Sequence, residues 1–116
     1  MDVFFDQARR GETITIWGDG NQVRDYIHIS DVIDFLMLAI EKESLSGIYN
    51  VGTGLGASLN GIVELIAKTL EKEPTVVYKS QRNVDVPYSV LNIEKAESVG
   101  WLPKIELPCG IQKLLE

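Results

Sequence analysis

Gly18-Asp19-Gly20-Asn21-Gln22-Val23-Arg24-Asp25-Tyr26-Ile27-His28 puts a glycine-rich turn directly before one arginine, at the mouth of an apolar, strand-like segment. A flexible loop that delivers a guanidinium to a cleft suits phosphate binding, because arginine presents a planar fork of donors matched to phosphate oxygens. A second polar cluster, Arg82-Asn83-Val84-Asp85, follows a helix-rich stretch. Either cluster alone reads as a solvated turn with an incidental ion pair. Two of them, one on each side of the helical body, point to an anionic ligand.

Other candidate sites read less well. Gly52-Thr53-Gly54-Leu55-Gly56-Ala57 follows an apolar run and precedes a helical pattern, so it fits the loose dinucleotide fingerprint, in which a helix N-terminus receives a pyrophosphate. The next strand would then end in an acidic residue for the ribose, yet Thr75-Val76-Val77-Tyr78-Lys79 ends in Lys79-Ser80. The glycines are read as a tight connection into a helix, with cofactor binding as the alternative. Asp19 and Asn21 match the first two ligand positions of a calcium loop, but Val23 and Arg24 stand where a third ligand and a glycine are required. With one histidine and one cysteine, far apart, no metal site is expected. His28 reads as a packed, hydrogen-bonded residue and Trp101 as an anchor for the C-terminal segment.

Positioning these groups requires an alternating α/β chain. A helix is expected over 2–10 with Gly11 as its stop, then a β-branched strand at Thr13–Trp17 and an extended stretch at Asp25–Ile29. Ser30 or Asp31 should cap a helix to about Lys42, with Val32, Phe35, Leu36, Ala39 and Ile40 inward and Ile33 and Met37 widening that face. Gly47–Gly52 reads as a short strand. Ser58 should start a helix that buries Leu59, Ile62, Val63, Ile66 and Leu70 and pairs Glu64 with Lys68 on its outer side. A strand at Thr75–Lys79, a helix from Asn92 to Gly100 and a last helix opened by Pro108, with Ile111, Leu114 and Leu115 inward, complete the pattern.

At 116 residues the chain is one domain at most, short for a two-domain enzyme. Apolar residues make up 45% and charged residues 24%, ordinary for a globular protein. The net charge of −6 and the absence of a basic stripe argue against nucleic-acid binding. No apolar run approaches the roughly 20 residues of a membrane span, and no secretory signal is evident. A cytoplasmic setting is expected, in keeping with the single Cys109. The chain begins close to a helix end, which suggests missing upstream sequence.

The ordered series Gly18-Asp19-Gly20, Gln22, Arg24-Asp25-Tyr26-Ile27-His28, Asp31-Val32, then Ile48-Tyr49-Asn50-Val51-Gly52, Arg82 with Asp85, Lys95-Ala96 and Gly100-Trp101 with Pro103 resembles the C-terminal portion of the NAD-dependent epimerase/dehydratase family. These are extended short-chain dehydrogenases acting on nucleotide sugars, UDP-glucose 4-epimerases among them. The resemblance spans nearly the whole chain. It implies an α/β substrate-binding portion over 1–116, lacking the Rossmann cofactor core, and a UDP-sugar or similar nucleotide sugar as partner. Arg24 and Arg82 match the family's diphosphate arginines, and Asp85 the carboxylate that accepts from the ribose hydroxyls. Ile16 and Trp17 fall on the strand bordering the base. Ser89 falls at the far end of the sugar pocket, where a small side chain leaves room for a bulky substituent.

The resemblance also implies absences. The family's catalytic pair is a tyrosine with a lysine four residues later, but Tyr26, Tyr49, Tyr78 and Tyr88 are followed at that spacing by Ser30, Thr53, Arg82 and Asn92. The cofactor loop that opens the family's chain is not here either. Catalytic and cofactor-binding residues are therefore expected to be absent, with NAD belonging to an intact parent. Val84 departs from the glycine often found before the matching aspartate. The chain alone is expected not to turn over substrate, and to expose apolar surface where a cofactor domain would pack, leading to self-association or a homo-oligomer. A non-catalytic binding or interaction domain on the same scaffold is the alternative.

Overall fold

The computed structural model describes residues 2–82 and 85–115. Helix α1, Asp2–Arg10, leads into strand β1, Ile14–Trp17, which pairs in parallel with β4, Val76–Lys79, in the register Ile14 to Val76 through Trp17 to Lys79. Between them runs α3, Leu59–Leu70. Its start follows from sequence: Ser58 accepts from the Gly61 amide at 3.0 Å, so the expected N-cap forms. Isoleucines at helical spacing bury the inner face, and Ile14, Ile16, Ile62, Ile66 and Ile111 close around Phe5 and Ala8 as one core.

A second sheet orders its strands β3-β2-β5. The central strand β2, Val23–Arg24, lies antiparallel to β3, Ala57–Ser58, and parallel to β5, Tyr88–Ser89. The ladder is only two residues long, so the extended stretch expected at Asp25–Ile29 is unpaired, and helix α2, Ile29–Glu41, begins at its end. A second core gathers Phe35 of α2, Ile93, Ala96 of α4 (Glu94–Ser98) and Trp101. Trp101 meets Phe35 edge-on at 5.7 Å, as the anchoring role requires. Helix α5, Leu107–Gln112, places Pro108 in its first turn and runs into a 3₁₀ turn at Lys113–Leu115.

Several local expectations are corrected. Neither Ser30 nor Asp31 caps α2. His28 does, its Nδ1 accepting from the Ser30 amide at 3.2 Å with the Ser30 hydroxyl 2.8 Å away. Asp31 is buried at 1% exposure, and its carboxylate instead accepts from the Lys104 and Ile105 amides, each at 3.0 Å. The strand expected at Gly47–Gly52 does not form: no described strand lies beside it, and Ile48 is 86% exposed. Leu36 and Ile40, expected inward, are exposed together with Ile33 and Met37, and so is Leu115. Glu64 and Lys68 form no ion pair among the described residues.

The exposure of the apolar residues of α2 has its cause in the overall shape. The radius of gyration is 16.3 Å and the extents are 49 × 35 × 16 Å. A compact chain of this length has a radius near ~13 Å. The molecule is a thin slab, and one broad face of α2 has nothing among the described residues to pack against.

Candidate functional site

The turn before Arg24 is pinned rather than flexible. Asn60, in the first turn of α3, donates its side-chain amide to the Asp19 carbonyl at 3.0 Å and its backbone amide to the Gly20 carbonyl at 3.0 Å. Tyr78 on β4 orients Asn60 by donating to its Oδ1 at 2.7 Å. Gly20 has φ +78°, and a Cβ there would run into the Asn60 side chain, so the close approach needs glycine. Gln22 donates to the Trp17 carbonyl at 3.1 Å. The loop therefore delivers β2 at a fixed height rather than swinging over a ligand.

Arg24 is half-buried and in register with Ser89 across the β2–β5 ladder. Its Nη1 donates to the Val23 carbonyl at 2.8 Å, and among the described residues no carboxylate lies within ion-pair range of it. Tyr26 stands close enough to feel its charge. Burial pushes the Tyr26 phenol above its ordinary value, and the Arg24 cation partly offsets that rise.

Arg82 is placed differently. Its guanidinium lies 5.5 Å from the centroid of the Trp17 ring, and it contacts the Asp85 carboxylate through Nε at 3.2 Å and Nη2 at 3.3 Å. Lys79 approaches the same ring at 5.6 Å. The structure thus joins Trp17, Arg82 and Asp85 in one cluster at the end of the β1–β4 sheet, and Arg24 with Ser89 in the other sheet. It draws no contact between the two arginines among the described residues. Asn83 and Val84, the latter a point of departure from the family pattern, lie outside the described residues. Ile16 is 1% exposed with its side chain in the core, so only its backbone is available to a ligand.

The residue that sequence reasoning misses is Asp25. Its carboxylate accepts from the Thr53 amide at 2.9 Å, the Gly54 amide at 2.9 Å, the Thr53 hydroxyl at 2.6 Å and the Leu91 amide at 3.4 Å. The glycine loop is the signal that could have found it, because free amides in such a loop attract an anion, and the anion here is the protein's own. That occupancy tests the fit of a dinucleotide to this loop. Its Thr53 and Gly54 amides already hold a carboxylate and its Leu55 amide the Thr53 hydroxyl, so a pyrophosphate would have to displace Asp25, and this loop does not fit the cofactor.

Two cavities flank Tyr26. One of about 430 Å³ is lined by Thr53, Leu55, Ala57 and the 103–108 segment. The other, about 310 Å³, is lined by His28, Leu107, Ile111 and Leu114. Neither is lined by Arg24 or Arg82. No described helix is long and apolar enough to cross a membrane.

Known proteins resemble this chain in sequence and in fold. The model of the NAD dependent epimerase/dehydratase family matches residues 1–52. A Methanocaldococcus jannaschii protein provisionally named a UDP-glucose 4-epimerase is 32% identical over 115 residues, covering 99% of this chain and 37% of the relative. The structure of the Thermotoga maritima UDP-glucose 4-epimerase with UDP-glucose superposes with a TM-score of 0.89 at 36% identity, over 98% of this chain and 39% of that one. The Thermus thermophilus UDP-glucose 4-epimerase, solved with NAD, gives 0.88 at 34% identity, over 96% of this chain and 37% of that one. The mixed α/β arrangement is thus that of the extended short-chain dehydrogenases. This chain is similar in sequence and fold to members of the NAD-dependent epimerase/dehydratase family, and spans 37–39% of the length of these relatives.

Proposed function

We propose that residues 1–116 are the substrate-side, C-terminal portion of a longer nucleotide-sugar epimerase or dehydratase, close to the UDP-glucose 4-epimerases, and hold the nucleotide diphosphate. In this reading Arg24 and Arg82 neutralise the diphosphate, Asp85 accepts from the ribose hydroxyls, and Trp17 with the Ile16 backbone borders the base. Ser89 faces the far end of the sugar. NAD, held by the rest of the longer polypeptide, supplies the hydride acceptor. The chain described here contributes positioning and charge neutralisation, and is inactive alone. A cytoplasmic setting accompanies this reading.

The observation that carries it is Arg24, a half-buried guanidinium with no carboxylate in ion-pair range among the described residues. A cation so placed invites an anionic ligand. The exposed face of α2 supports a packing partner: the cofactor-binding remainder of the longer protein, or in its absence a second copy of this chain. That same face favours the second reading, an interaction domain that keeps the scaffold without catalysis.

The test is a titration of UDP and UDP-glucose against the wild-type chain, Arg24→Ala and Arg82→Ala. Loss of a charge-assisted contact of about 1.5–3 kcal/mol predicts roughly 10- to 150-fold weaker binding for Arg24→Ala. Arg82→Ala loses less, because Asp85 already shares its guanidinium. Equal affinity of all three proteins for both ligands refutes the assignment.

A further inference from the structure

We propose that Asp25 is the positioning residue of the anion site, acting on the ligand through Arg24 and Ser89 without touching it. The proposal rests on the reading that Arg24 grips the diphosphate. Strand β2 is two residues long, and a ladder so short does not hold its register unaided. Asp25 supplies the missing constraint. Its two oxygens gather the Thr53 and Gly54 amides, the Thr53 hydroxyl and the Leu91 amide, tying β2 to the glycine loop and to the segment just beyond β5. Leu91 lies two residues past Ser89, the register partner of Arg24. One carboxylate therefore fixes both residues that face each other across the ladder.

The sequence around it is built for this contact. A Cβ on Gly52 would lie 2.7 Å from the Asp25 carboxylate and 2.9 Å from a Leu91 methyl, so glycine is required for the loop to come so close. Thr53 answers the carboxylate with amide and hydroxyl together, and its hydroxyl also accepts from the Leu55 amide at 3.1 Å. The arrangement has an electrostatic consequence. The carboxylate beside Arg24 in sequence is satisfied by backbone donors, so it does not neutralise the guanidinium, which stays available to an incoming anion.

The experiment is a UDP titration followed by backbone-amide NMR, which reads weak affinities. It compares the wild-type chain with Arg24→Ala, Asp25→Asn, the Arg24→Ala/Asp25→Asn double variant, Thr53→Val and Thr53→Ser. An asparagine turns its NH₂ toward backbone donors, so Asp25→Asn should weaken UDP about tenfold, and the double variant should bind no worse than Arg24→Ala alone. Thr53→Val should show a smaller loss in the same direction, and Thr53→Ser should restore wild-type affinity. Hydrogen exchange at the Thr53, Gly54 and Leu91 amides should accelerate in Asp25→Asn. Wild-type affinity in Asp25→Asn, or a double variant whose loss is the product of the two single losses, overturns the positioning role while leaving the Arg24 site standing. A wild-type chain indifferent to UDP, or an Arg24→Ala chain that binds as well as wild type, overturns both.

Discussion

Replacing Asp31 by alanine should cost this chain about 2–4 kcal/mol of stability, because of what the side chain holds. Asp31 is 1% exposed, and its two oxygens accept from the Lys104 and Ile105 amides at 3.0 Å each. Each bond to a charged acceptor contributes about 1.5–3 kcal/mol, so simple addition gives roughly 3–6. Lys104 is exposed and Ile105 half-buried, so water recovers part of the loss when the carboxylate is gone. Asp31 also sits in the first turn of α2, where a negative charge adds about 0.3–1 kcal/mol. The Asp31 carbonyl accepts from Trp101 Nε1 at 3.0 Å, and that bond survives the substitution. Against a total stability of about 5–15 kcal/mol, a thermal midpoint lower by roughly 10 °C is expected. Urea unfolding monitored by Trp101 fluorescence, in a Trp17→Phe background, measures it. Asp31→Asn keeps one acceptor oxygen and should lose about half as much. A change under about 0.5 kcal/mol in Asp31→Ala, or a larger loss in Asp31→Asn than in Asp31→Ala, refutes the reasoning.

Two further outcomes follow from the same geometry. The buried Tyr26 phenol titrates above its ordinary value near ~10, so the unfolded chain releases that proton first as pH rises; Tyr26 thus contributes stability below about pH 10 that disappears as pH climbs through the folded value, and Tyr26→Phe should flatten the alkaline limb of the stability profile. Removing the neighbouring cation with Arg24→Ala should push the Tyr26 titration higher still, readable from phenolate absorbance. On the exposed face of α2, Leu36 and Ile40 are 55% and 74% exposed, and a paired Leu36→Glu/Ile40→Glu substitution should convert a self-associating chain into a monomer in sedimentation velocity without lowering its helix content. A wild-type chain that is monomeric at high concentration contradicts that expectation.

The elements legible in the sequence are those whose own residues decide them. Helices at 2–10 and 59–70 carry an apolar stripe at helical spacing, and Ser58 caps as its chemistry requires. Strands at 14–17 and 76–79 carry β-branched residues and find each other. What the sequence hides depends on partners. Gly47–Gly52 has a strand's composition, but composition supplies no neighbour, and without a ladder the backbone stays irregular. Leu36 and Ile40 have the periodicity of an inward face, yet periodicity says only that a face wants covering and not that this chain covers it. The cap of α2 departs from expectation because Asp31 has a better use on the Lys104 and Ile105 amides, far along the chain and invisible to any local rule.

The same distinction sorts the candidate site. Both arginines are visible as residue types, but their states differ in a way only three dimensions reveal. Arg82 sits on Trp17 and is neutralised by Asp85, so an anion must share or displace that carboxylate before it gains the full charge. Arg24 has a carboxylate for its nearest neighbour in sequence, and the expected outcome of such a pair is mutual neutralisation. The glycine loop prevents it by drawing Asp25 onto backbone amides. Thus the Gly52–Gly56 segment, whose pattern suggests a phosphate cradle, holds the protein's own carboxylate instead, and under the proposed function its donors serve the anion site indirectly by leaving the Arg24 cation for the ligand.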